Sequence, residues 1–171
     1  MNKRKLFLWA DANNELGYGH FIRTSTLAQM MVNDFDCTFF TTSPNVYQLN
    51  ILNSICHYES LPSEENRFEL FLEKLSSEVT VFLDGYFFDS VFQKRVREKC
   101  RMLVCMADTI NYFNSDAVIG YIIPKEQIKL SNETKYYCGL EWILLRQPFT
   151  EIAKRKKKEE IKSITICLGG T

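Results

Sequence analysis

The stretch from Lys5 to Met31 restricts the fold more than any other. It joins a short apolar run, a polar loop with two glycines, and a helical run. Leu6 to Ala10 predicts a strand, and the helix is expected to open near His20 and continue to about Val32. This is the first βα step of an α/β domain. Gly17 and Gly19 are both expected to supply positive φ and to let the backbone approach a ligand closely. The helix start turns unpaired N–H groups and the positive end of its dipole toward the same crevice, which suits an anionic or sugar-phosphate ligand. His20 stands in that first turn. The dipole disfavours its protonated form, so the imidazole is expected to be neutral and able to accept a proton.

The rest of the chain repeats the pattern. Strands are expected at Cys37 to Thr41, His57 to Glu59 (a short edge strand), Val79 to Leu83, Met102 to Ala107 and Asp116 to Ile119. Between them, Ser43-Pro44-Asn45 opens a short helix through Leu52, and Ser63 is expected to cap a helix reaching about Leu75. Ser90 to Lys99 reads as an amphipathic helix with Val91, Phe92 and Val96 inward. Continuous apolar runs such as Val79 to Leu83 belong to strands covered on both faces. The expected fold is therefore α/β: a doubly wound, Rossmann-like parallel sheet. Asp84 and Tyr86 follow one central strand and Asp108 another, on the side where such sheets bind ligands, and Asp11 ends the first strand beside them.

Several function classes are disfavoured. A dinucleotide fingerprint needs a third small residue where Ile22 stands. Strand two ends in Thr41-Thr42-Ser43, with no acid for a ribose, and no Gly-Lys-Ser/Thr phosphate loop occurs. The 171 residues carry 21 basic and 21 acidic side chains, a balance that argues against a nucleic-acid partner. The six cysteines lack metal-ligand spacing and read as free thiols in a reducing, cytoplasmic setting. No apolar run approaches the roughly 18 residues that cross a bilayer, and the N-terminal run stops at Asp11, short of a signal peptide. No metal and no cofactor is called for.

Beyond Gln147 the character changes. Pro148-Phe149 is expected to start a helix running into the charged stretch Lys154 to Glu160, read as a solvated helix end or hinge. Ser163 to Leu168 then reads as a new buried strand entering the turn Gly169-Gly170-Thr171. The expected organisation is a Rossmann-like sugar-binding and catalytic domain over residues 1–150, a charged interdomain segment over 151–160, and the start of a second domain over 161–171. On this reading the sequence is the N-terminal part of a longer protein.

Collinear pieces of the chain carry a resemblance. They are Asp11 with Gly17-Tyr18-Gly19-His20 and Arg23; Leu27-Ala28; Leu83-Asp84-Gly85-Tyr86; Asp108; Asp116; Gly139 with Leu144 to Phe149; and Ile166 to Thr171. Together they resemble the UDP-sugar hydrolases of pseudaminic acid biosynthesis and the related spore-coat polysaccharide proteins. That resemblance implies the N-terminal half of a two-domain, GT-B-like fold whose C-terminal domain binds UDP. It implies hydrolysis of UDP-2,4-diacetamido-2,4,6-trideoxy-β-L-altropyranose, releasing UDP and free sugar. His20 would be the base that activates water. Asp11, Gly17, Gly19, Arg23, Asp84, Tyr86 and Asp108 would contact or shape the substrate site. Three departures stand out: Trp9 replaces the family's arginine, Ala107 the first of two aspartates, and Gly120-Tyr121-Ile122 an Asn-Gln-Asn stretch. They leave room for another UDP-sugar, for a glycosyltransferase that uses an acceptor other than water, or for a sugar-nucleotide-binding module without activity.

Structural roles compete at each position. His20 can cap or pack, Arg23 and Asp11 can form an ordinary ion pair, and Asp84 can cap a turn. Tyr86 can serve the core with a tethered hydroxyl, and Arg146 can tie the interdomain segment.

Overall fold

The computed structural model describes residues 3–151 except 14, 110 and 122, together with residues 164 and 166. The strands expected from apolar runs form one parallel sheet. They are β1 (Arg4–Trp9), β2 (Phe35–Thr42), β3 (His57–Leu61), β4 (Thr80–Leu83) and β5 (Met102–Ala107). A two-residue strand, β6 (Tyr112–Phe113), precedes β7 (Ala117–Gly120), and two more follow, β8 (Lys129–Leu130) and β9 (Lys135–Cys138). The main sheet has seven strands in the order β3-β2-β1-β4-β5-β7-β9, and β6 pairs with β8 beside it. Each pairing is parallel. β9 and the β6–β8 pair have no counterpart in the sequence reading, because Lys135-Tyr136-Tyr137-Cys138 shows neither a clear alternation nor an apolar run.

Helices α1 (Gly19–Met31), α2 (Val46–Asn53), α3 (Arg67–Glu73) and α4 (Ser90–Lys99) are the crossovers. The chain steps outward from β1 to β3, then returns to place β4 on the other side of β1. Right-handed crossovers therefore put α1 and α2 on one face and α3 and α4 on the other. Two apolar layers result. Leu6, Leu8, Phe21, Phe39 and Leu52 fill the first, while Trp9, Phe40, Phe71, Phe92 and Val96 belong to the second. Neighbours in β1 and β2 alternate between the layers, as the period of two in a strand requires.

Helix boundaries correct two expectations. Ser63 does not cap α3: the chain first makes tight turns, with Arg67 N–H on Glu64 C=O and Phe68 N–H on Glu65 C=O, and Asn66 stands at the cap position. In α4 the carboxylate of Asp89 caps the helix by accepting from Phe92 N–H at 2.7 Å. That start turns Phe92, Gln93 and Val96 inward and leaves Val91 67% exposed, against its expected inward place. Gln93 is tolerated in the core because it donates to Phe88 C=O and accepts from Asn114 N–H.

The helix expected to start at Pro148-Phe149 and run into the charged stretch is present only as α5 (Gln147–Thr150), which ends with Glu151 at its C-cap. The charged stretch 154–160 lies outside the described residues, as does the strand expected at 163–168 apart from Ile164 and Ile166, and the Gly-Gly-Thr turn after it. No described helix is long and apolar enough to cross a membrane.

Candidate active site at the sheet reversal

The reversal in strand order leaves a crevice beyond the carboxyl ends of β1 and β4, the usual ligand position of such sheets. Asp84 N–H donates to Trp9 C=O there and ties the two strand ends together. The first turn of α1 enters from the β1 side and the loop after β4 from the other. His20, Arg23 and Thr24, three and four residues apart on one helix face, converge on Asp84.

Asp84 is fully buried, and its carboxylate meets three side chains of this helix. His20 Nδ1 lies 2.7 Å from Oδ1, Arg23 donates through Nε at 2.8 Å to Oδ2 and through Nη2 to Oδ1, and Thr24 Oγ1 donates to Oδ2 at 3.0 Å. Burial alone would raise the Asp84 pKa. The hydrogen bonds from His20 and Arg23, with the charge of Arg23, outweigh it and hold the carboxyl below its usual range. An ionised Asp84 has no proton to give, so the hydrogen on the shared line belongs to His20 Nδ1. Arg23 Nη2, 3.1 Å from the same nitrogen, is then a neighbouring donor rather than a partner. The lone pair of the imidazole is on Nε2, which has no partner among the described residues, and His20 lines the open cleft. The carboxylate thus selects the tautomer in which the outward nitrogen is basic.

Arg23 spreads its guanidinium further. Nη2 also donates to Asp108 Oδ2 at 2.9 Å, and Nη1 donates to the hydroxyl of Tyr121 at 3.0 Å. Burial would lower the Arg23 pKa, yet the pairs with Asp84 and Asp108 carry it well above the ordinary value, so the group stays charged. Donor atoms of His20, Asp84 and Asp108 lie within 4.8 Å of one another, a set able to ligate a cation. Arg23 Nη2 sits among them and supplies that positive charge.

The cleft holds about 640 Å³ and continues from this polar floor to an apolar and aromatic rim that includes Tyr18, Tyr47, Leu145 and Phe149. Tyr86 sets its ring edge-on to the His20 imidazole, with centroids 4.5 Å apart and planes at 88°. Burial and the charge of Asp108 push its phenol above the usual value, so it remains protonated at neutral pH. Arg146 also lines the cleft and lays its guanidinium over Phe149 at 5.2 Å.

Of the residues singled out from sequence, His20, Gly19, Arg23, Tyr86 and Asp108 line this cleft, and Asp84 sits beneath them as the anchor. Asp11 does not take part. It accepts from Trp9 Nε1, Thr42 N–H and Thr42 Oγ1, and pins the end of β1 to β2. The ion pair weighed between Asp11 and Arg23 is replaced by a guanidinium from α3: Arg67 Nη1 approaches Asp11 at 3.7 Å while stacking on Phe68 and Phe87. Gly17 does adopt positive φ, at 70°, in the turn closed by its N–H on Asn13 C=O. Gly19 does not. It is the first residue of α1, and a Cβ there would meet nothing within 4 Å, so its smallness leaves open space on the cleft floor.

Thr24 was not anticipated, and Tyr121 was singled out only within the Gly120-Tyr121-Ile122 departure, without its bond to Arg23. Thr24 was within reach of the sequence, since it lies four residues after His20 on the same face. The pairing of Tyr121 with Arg23 was not, because the two are 98 residues apart. Trp9 does not line the cleft. It is fully buried among Phe71, Phe88 and Phe92 in the opposite layer.

No protein-family model matches the sequence. The chain is similar to an uncharacterized protein of Methanocaldococcus jannaschii, with 26% identity over 191 aligned positions covering 98% of this chain. It spans only 37% of that protein's length.

Proposed function

We propose that this chain forms the sugar-side half of a nucleotide-sugar hydrolase that acts on a UDP-linked diacetamido-trideoxyhexose in surface polysaccharide or nonulosonic acid biosynthesis. The observation that carries the reading is the His20–Asp84 pair at 2.7 Å beneath an open cleft. Water attacks the anomeric carbon as His20 Nε2 takes one of its protons, and the remaining hydroxyl stays on the sugar. The bond from that carbon to the β-phosphate oxygen breaks, and UDP departs with the electron pair. The imidazolium formed in this step is stabilised by the buried Asp84 carboxylate.

The start of α1 favours a phosphate nearby. Tyr18 at its N-cap makes no side-chain capping bond, so the first-turn N–H groups keep their donor capacity for a ligand. The greater length of the archaeal relative is consistent with a further domain of the full chain holding UDP. The free thiols at positions 37, 56, 100, 105 and 138 fit a cytoplasmic enzyme.

The test uses the full-length protein and follows UDP release from UDP-diacetamido-sugars, with His20→Asn alongside. Turnover in water alone that falls by about two to four orders of magnitude in the variant, with binding retained, is the expected result. Turnover that requires an added acceptor, or that ignores His20, would overturn it.

A further inference from the structure

Arg23 holds two cleft-lining groups on adjacent guanidinium nitrogens: Nη1 donates to Tyr121 Oη and Nη2 to Asp108 Oδ2. The consequence differs for the two. A tyrosine hydroxyl has one proton and two lone pairs, so accepting from Arg23 leaves its O–H free to donate. That proton meets no acceptor among the described residues, and Tyr121 lines the cleft. Asp108 has a second oxygen, Oδ1, which accepts from no described residue, and Asp108 lines the cleft as well. The floor therefore presents one unspent donor and one unspent acceptor, both oriented by the same cation.

We infer that Tyr121 and Asp108 read a hydroxyl group of the bound sugar, which accepts from Tyr121 and donates to Asp108. A hydroxyl does both at a single atom. It would close a ring of hydrogen bonds running Arg23, Tyr121, ligand oxygen, Asp108 and back to Arg23. Each member polarises the next, and the charged guanidinium strengthens the tyrosine as a donor. A ligand lacking that hydroxyl leaves both groups buried under it without partners, which makes the arrangement a selective one. The inference rests on the proposed substrate class. In a hexose with acetamido groups at C2 and C4, no oxygen at C6, and UDP at C1, the hydroxyl left to read is that at C3.

The experiment is calorimetric titration of the full-length protein carrying His20→Asn, so that binding is measured without turnover. The probes are the UDP-diacetamido-trideoxyhexose, its C3-deoxy analogue, and UDP alone. In the parent, loss of the hydroxyl is expected to weaken binding roughly ten- to a hundredfold. Adding Tyr121→Phe should weaken the hydroxylated sugar by about tenfold, leave UDP unchanged, and bring the two sugars to within about threefold of each other. Asp108→Asn, which keeps an acceptor oxygen but loses the charge, should fall between. Equal affinity for both sugars in the parent would overturn the inference. So would an undiminished difference in the Tyr121 variant, or weakening of UDP alone by the same factor. If the sugar pattern holds while the unmutated enzyme releases no UDP, the hydrolase reading falls and this one stands.

Discussion

Replacing Asp84 by asparagine changes no volume and tests the central pair directly. The carboxylate receives His20 Nδ1 and Arg23 Nη2 on Oδ1, and Arg23 Nε and Thr24 Oγ1 on Oδ2. An asparagine has one oxygen, so its NH₂ group must face donors whichever way it turns. Placed at Oδ2 it confronts Arg23 Nε and Thr24. Placed at Oδ1 it confronts the imidazole, which escapes only by moving its proton to Nε2. That move puts the hydrogen where the base must be. Removing one partner of a buried ion pair costs about 3–5 kcal/mol, and because Arg23 keeps Asp108, the low end, about 3 kcal/mol, is expected. Loss of the correctly set base should lower turnover by roughly 10²–10⁴. Urea unfolding and UDP release by the full-length protein measure the two effects separately. A variant within about 1 kcal/mol of wild type that turns over within tenfold of it would refute the reasoning.

Acidification provides an internal check on the same prediction. The folded Asp84 carboxyl titrates below its unfolded counterpart, near pH 3.9, because burial is outweighed by its bonds to His20 and Arg23. Its stabilisation is therefore complete above about pH 4 and lost as the pH falls from there through the folded value. The stability difference between wild type and Asp84→Asn should shrink as the pH falls below about pH 4. A difference that grew on acidification would reverse the sign of the argument.

Other outcomes follow from single contacts. Trp9→Ala empties a site walled by Phe71, Phe88 and Phe92 and should cost about 3–5 kcal/mol in urea unfolding, while Trp9→Phe costs less. Asp116→Ala removes the acceptor of Leu103 N–H and the partner of Arg97, at the opposite strand ends from the cleft. It should lower stability by about 1 kcal/mol and leave turnover unchanged. Gly17→Ala forces a side chain to φ 70° and should cost roughly 1–2 kcal/mol, whereas Gly19→Ala, with open space around it, should unfold no more readily than wild type. Mass mapping after brief alkylation should find exposed Cys138 labelled well before Cys37 and Cys105, since burial pushes the Cys37 thiol up to about 11 and that of Cys105 higher still.

The elements were legible because strands covered on both faces leave runs such as Val-Phe-Leu or Leu-Val-Cys-Met. Within the site, His20 and Arg23 were legible as one helical face, and Asp84 and Asp108 as residues following buried strands. What those positions do to one another was not, since it depends on which strands become neighbours. Asp11 and Asp84 look equivalent in sequence, each an acid just beyond a strand. They part company because Thr42 N–H and Oγ1, at the end of β2, claim the Asp11 carboxylate, while Asp84 meets α1 across the reversal. Only the order β2-β1-β4 makes that distinction. The same order explains why Trp9 stays clear of the cleft, for alternation along β1 sends its indole into the layer under α3 and α4. The proposed base at the start of α1 therefore depends on a strand 60 residues further on: β4 must lie against β1 before Asp84 can set the proton of His20. Any change that loosens that pairing should lower catalysis before it unfolds the sheet, because the tautomer depends on a single 2.7 Å bond and the fold on two apolar layers.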